Sequence, residues 1–92
     1  MPDKPWKPSR RQQRVLLVLL SGAANLYGLT LMRASQAGSY TVYPLLDRLE
    51  DRKWVTGEYR EQPDGKARRV YALTPEGRKA ALGFLKLEDG HA

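Results

Sequence analysis

Cysteine is absent from the 92-residue chain. That excludes a disulfide framework and any thiolate metal site, and it permits a reducing compartment. Histidine is almost as scarce. The single one, His91, stands next to the end of the chain. With no cysteine nucleophile, no internal histidine, no Gly-rich phosphate loop and no cluster of metal ligands, the sequence offers none of the common catalytic constellations, so neither enzyme activity nor a cofactor or metal is expected. Long apolar runs are lacking too. The longest, Val15 to Leu20, has six residues, far short of the ~20 that span a bilayer. Basic residues before it and Ser21-Gly22-Ala23-Ala24 after it imitate a secretory signal, and Ser9-Arg10-Arg11 imitates a twin-arginine one. The run is still shorter than the ~7–15 residues of a signal core, and cleavage there would remove a helix that the rest of the domain needs. A cytoplasmic protein with no membrane partner is expected.

Negative charge is also in deficit. Lys and Arg number 16 against 10 Asp and Glu, a net charge of +6. A basic excess attracts polyanions, although a merely solvated basic surface is common. Its placement is more informative than its size. Lys4, Lys7, Arg10, Arg11 and Arg14 face only Asp3 within residues 1–14. Residues 58–70 carry Arg60, Lys66, Arg68 and Arg69 against Glu58, Glu61 and Asp64, and residues 39–53 are balanced. At 41% hydrophobic and 28% charged, the chain has the composition of one small globular domain.

Pro2, Pro5 and Pro8 make residues 1–9 a basic, proline-rich arm. A helix is expected from Ser9 or Arg10 to about Ser21, apolar nearly all round and ended by Gly22. Asn25 reads as the cap of a second helix, Leu26 to about Gln36, stopped by Ala37-Gly38. Gly28 in its first turn is tolerable if another helix backbone comes close. Ser39 reads as the cap of a third helix, to about Arg52, on which Val42, Leu45, Leu46 and Leu49 form one apolar stripe. Pro44 is read as early enough in this helix to do little harm. The period then changes to alternation over Val55 to Gln62 and Ala67 to Leu73, with Pro63-Asp64-Gly65-Lys66 as the turn between. Thr74-Pro75-Glu76 opens a fourth helix to about Leu87, and residues 88–92 read as a disordered tail.

Helix, helix, turn, helix, hairpin, helix is the order of a winged helix-turn-helix, mainly α with a β-hairpin wing, here over residues 10–87. In that fold the third helix (39–52) reads the major groove and the 62–69 wing meets phosphate or the minor groove. The candidate DNA-binding residues are Ser39, Tyr40, Thr41, Tyr43 and Arg48 on the helix and Lys66, Arg68 and Arg69 on the wing. Tyr27 and the basic Arg10, Arg11 and Arg14 complete the set. The arm is expected to add affinity without specificity. Several alternatives stay open. Tyr43 is either a DNA contact or a half-buried aromatic, and both can hold. Arg48 grips phosphate or pairs with Asp47 or Asp51. Trp54 reads as core. Trp6 docks on a partner subunit or a ligand, or is disordered. A winged helix used for protein or RNA contact, without specific DNA readout, is the competing function.

Three blocks carry a family resemblance: Leu26-Tyr27-Gly28-Leu29, then Tyr40-Thr41-Val42-Tyr43-Pro44-Leu45-Leu46-Asp47-Arg48-Leu49-Glu50, then Arg68-Arg69-Val70-Tyr71-Ala72-Leu73-Thr74-Pro75-Glu76-Gly77. From about Val15 to Ala81 the chain resembles the PadR family of transcriptional regulators. The resemblance implies a dimeric prokaryotic repressor on nucleoid DNA, with a palindromic operator, Tyr43 and its neighbours at the DNA, and Arg68 and Arg69 in the wing. Members have a small residue where Tyr40 stands and glycine where Lys53 stands. They also continue past the fourth helix with a longer dimerising segment. The sequence therefore resembles a short form, in which a large effector pocket is not expected and a small-molecule effector is left open.

Overall fold

The computed structural model describes residues 6–86; the expectations for residues 1–5 and for the 88–92 tail lie outside them. The elements are α1 (Arg10–Leu20), α2 (Gly28–Ser35), α3 (Ser39–Asp51), β1 (Val55–Glu61), β2 (Ala67–Leu73) and α4 (Pro75–Leu85). The strands pair antiparallel, from Val55 with Leu73 to Glu61 with Ala67. This is the winged helix-turn-helix order. Val15, Leu16, Leu31, Val42, Leu45, Leu46 and Leu49 are its largest fully buried apolar side chains.

Local signals explain most boundaries. The Ser9 hydroxyl accepts from the Gln12 N–H while the Gln12 side chain accepts from the Ser9 N–H, a reciprocal cap that starts α1. Pro63 and Asp64 turn the chain, Gly65 takes φ +84°, and Gln62 and Lys66 close the hairpin by a 2.9 Å hydrogen bond. Thr74 caps α4 by accepting from the Gly77 N–H at 3.0 Å, with Pro75 following.

Three expectations need correction. Asn25 does not cap α2. It is left-handed (φ 60°), and the chain runs extended through Tyr27, which forms a β-bridge with Val70. The Leu26 carbonyl accepts the Tyr71 N–H at 2.8 Å, so β2 captures two residues that would otherwise begin the helix. Thr30 then serves the new start, its hydroxyl accepting the Tyr27 N–H at 2.8 Å. Second, the cap of α3 is Gly38, and Ser39 is the first helical residue. The residue that stops α2 is Gln36, left-handed at φ 58°, while Gly38 is extended. Third, Pro44 sits inside α3, beyond the turn whose amides are free, so the Tyr40 carbonyl loses a helical donor. Tyr40 is exposed, so water can replace that donor.

Trp6 is ordered against its own chain. Its ring centroid lies 5.2 Å from that of Phe84 and 6.5 Å from that of Trp54. Trp54 is half-buried in the same cluster, at the edge of the core.

Two positions expose the backbone logic. Gly77, on the buried side of α4, lies against the Trp54 backbone, and a Cβ would overlap the Trp54 carbonyl. Backbone cannot swing aside as a side chain can, so Gly77→Ala is expected to cost about 3 kcal/mol. Lys53 has φ 60° just past α3, where glycine is the unstrained choice. Lys53→Gly is expected to stabilise by about 1 kcal/mol. Urea unfolding followed by far-UV circular dichroism should move the midpoint down for the first variant and up for the second.

Candidate nucleic-acid interface

The interface begins with the rotation of α3. Its buried stripe turns Tyr40, Asp47 and Asp51 to solvent. Tyr40 is 96% exposed and stands one helical turn from Tyr43, which is 46% exposed. Tyr43 leans on Gly28, where a Cβ would collide with its phenol. Glycine in the first turn of α2 therefore admits a side chain of α3, where the sequence suggested a second helix backbone. The half-buried reading of Tyr43 describes its ring, which covers this contact, while much of its surface stays open.

Tyr43, Tyr27 and Gly28 line a groove of about 330 Å³ together with Tyr59, Arg68 and Arg69 of the wing. The starts of α2 and α3 thus meet the hairpin in one concave surface. Tyr59 is 75% exposed and pairs across the sheet with Arg69. It was not among the sequence candidates. Its signal was present, since period-two alternation puts Tyr59 on the face of Arg69.

The wing cations are not equivalent. Lys66 is exposed at the tip, where its N–H donates to the Asp64 carboxylate at 3.0 Å. Arg68 pairs with Asp64 at 2.9 Å and lies over the Tyr27 ring, 5.0 Å from its centroid. The Arg68 guanidinium, helped by the Lys66 N–H, holds the Asp64 carboxyl below the usual carboxylate range. Arg69 points across the sheet and donates both ends of its fork to Glu50 of α3, one bond measuring 2.8 Å. Its guanidinium is held charged above the ordinary arginine range, chiefly by that carboxylate. Burial raises the neighbouring Tyr71 phenol, against the opposing pull of Arg69.

The remaining candidates are spread. Ser39 is exposed and Thr41 half-buried at the start of α3. Arg48 lies on the far flank of α3, its guanidinium 5.1 Å from the Trp6 ring centroid, and among the described residues it forms no ion pair with Asp47 or Asp51. Arg10 and Arg11 are exposed on the first turn of α1. The Arg14 Nε donates to the Ser35 carbonyl at 2.8 Å, so it holds the end of α2 beside the turn into α3. The groove therefore gathers Tyr27, Tyr43, Arg68 and Arg69, and it does not gather Arg48.

No curated protein sequence matches the chain significantly. Among solved structures, a Streptococcus transcriptional regulator is 28% identical, with 83% of this chain and 78% of that one covered and a TM-score of 0.69. A PadR-like transcriptional regulator of Bacillus cereus is 21% identical over 83% of this chain and 78% of its own, with a TM-score of 0.68. A mutant of Staphylococcus aureus MepR, solved bound to an oligodeoxyribonucleotide, is 24% identical over 84% of this chain and 55% of its own, with a TM-score of 0.64. The last two likenesses are of fold. The profile of the transcriptional regulator PadR-like family matches residues 15–82, and with the fold and the groove in agreement the chain belongs to that family of transcriptional regulators.

Proposed function

We propose that this regulator binds double-stranded DNA sequence-specifically and represses transcription. In this reading the start of α3, with Ser39, Tyr40, Thr41 and Tyr43, enters the major groove, and the 62–69 wing meets phosphate or the neighbouring minor groove. The observation that carries it is the groove itself. It joins a projecting aromatic end of α3 to a hairpin whose tip bears Lys66 and Arg68. Base edges need fixed side chains, whereas phosphate needs only charge within reach. The helix supplies the first and the hairpin tip the second. Residues 1–9, with Arg10, Arg11 and Arg14, act as a basic flank that adds sequence-independent attraction. Among the described residues no helix is long and apolar enough to cross a membrane, and the proposed place of action is nucleoid DNA in the prokaryotic cytoplasm.

A palindromic operator and a homodimer belong to the same proposal. Leu17 is 48% exposed on α1, while Leu82, Phe84 and Leu85 of α4 are only half-buried. A second copy would cover this surface, and two-fold pairing would double the bases read. Sedimentation velocity at micromolar concentration should find a two-chain species that Leu17→Glu shifts to one chain. A single-chain wild type would remove the dimer from the proposal.

Footprinting on the DNA upstream of the chain's own gene should locate an operator. On it, Tyr40→Ala or Thr41→Ala is expected to cost about 1–3 kcal/mol, with much less lost on random duplex. Tyr40 is so exposed that its removal should leave the circular dichroism spectrum unchanged. Lys66→Ala should weaken operator and random DNA alike and lower the salt slope by about 0.9, the contribution of one phosphate. Binding to random duplex that ignores salt would favour a protein-contacting winged helix instead.

A further inference from the structure

Glu50 is out of place on a helix meant to approach a polyanion. It lies on the flank of α3 that faces the wing, the same side as Tyr43. Left alone, it would repel phosphate. Three features of the hairpin converge on neutralising it. Arg69 reaches it from β2 as a two-pronged donor, the geometry that distinguishes guanidinium from ammonium. The Tyr71 ring flanks the guanidinium, with 5.4 Å between its carbon and the ring centroid. Gly57, opposite Tyr71 in β1, leaves the space, since a Cβ there would stand 2.7 Å from the Arg69 Nε. Glycine inside a strand weakens it and signals a close approach. Here the approaching group is the arginine fork.

We propose that Arg69 is a positioning residue, a strut that fixes the angle of the wing against α3, and that the group its fork is built to hold is Glu50 rather than a DNA phosphate. The inference rests on the DNA-binding reading and divides the wing more finely than that reading does. Lys66, which forms no ion pair among the described residues, remains the wing charge offered to the backbone. Arg69 is already paired with Glu50, so it neutralises no phosphate, releases no cation condensed on the DNA and adds nothing to the salt slope. Its contribution is to specificity. With the wing held at one angle, the start of α3 and the hairpin tip engage the duplex in a single register.

The test compares Arg69→Ala, Arg69→Lys, Glu50→Gln and Lys66→Ala for binding to operator and to random duplex over a range of salt. The strut predicts that Arg69→Ala leaves the salt slope unchanged and lowers the ratio of operator to random affinity about tenfold. Arg69→Lys should lower that ratio as far, because an ammonium cannot fork. Glu50→Gln should lower it too, while steepening the slope by about 0.9 as the released guanidinium becomes a phosphate ligand. Lys66→Ala should flatten the slope and keep the ratio. If Arg69→Ala flattens the slope and Arg69→Lys restores it, Arg69 grips phosphate and the strut is wrong. A DNA-free measurement separates this from failure of the DNA-binding reading itself. Amide hydrogen exchange at Arg60 and Arg68, which face each other in the hairpin ladder, should quicken at least fivefold in the two Arg69 variants and in Glu50→Gln and stay unchanged in Lys66→Ala. Unchanged exchange in Glu50→Gln would overturn the strut even if the wild type bound no DNA.

Discussion

The burial of one stripe on α3 governs the rest of the molecule. Val42, Leu45, Leu46 and Leu49 are nearly inaccessible to water. Removing four such side chains from the core would cost more than a small domain possesses in stability. The helix therefore has one permitted rotation, and every other side chain on it receives its direction from that fact. Tyr43 and Glu50 turn to α2 and the wing. Arg48 and Arg52 turn to Trp6 on the opposite flank. Tyr40 and Asp47 are left facing out. A rotation of one residue would bury charge on one side and strip the core on the other, so the alignment of the candidate interface follows from hydrophobic packing.

Features written in local chemistry were legible in the sequence. The Ser9 cap, the Pro63-Asp64-Gly65 turn, the Thr74-Pro75 start and the stripe of α3 all involve residues within a few positions of one another. Their energetics need no knowledge of the fold. The order of elements follows from them, and the resemblance to PadR regulators follows from the blocks they frame.

What escaped depends on partners distant in sequence. Asn25 has every property of a helix cap, yet the edge of β2 offered the following residues a hydrogen bond from Tyr71, and tertiary pairing overrode the local preference. The role of Gly28 was half legible: a close approach was expected, but nothing in the sequence named a tyrosine fifteen positions on as the approaching group. Trp6 could be assigned only after Trp54 and Phe84 were seen beside it. The pairing of Glu50 with Arg69 spans 19 positions and was hidden among more obvious partners, since Asp47 and Asp51 lie closer in sequence to every basic residue of the helix.

The aromatic cluster has a spectroscopic consequence. The chain has two tryptophans, and both lie in that one corner, where the segment before α1, the end of α3 and α4 meet. Excitation at the red edge of the indole band therefore samples a single locus. Tyr59 and the hairpin tip contribute nothing to that emission. Two arginine side chains also hang over the Trp6 ring, close enough for its emission to respond when they are drawn away. The native protein thus carries a built-in optical probe of the flank of α3 turned away from the wing, and an indole introduced near the hairpin tip would give the other flank a signal of its own.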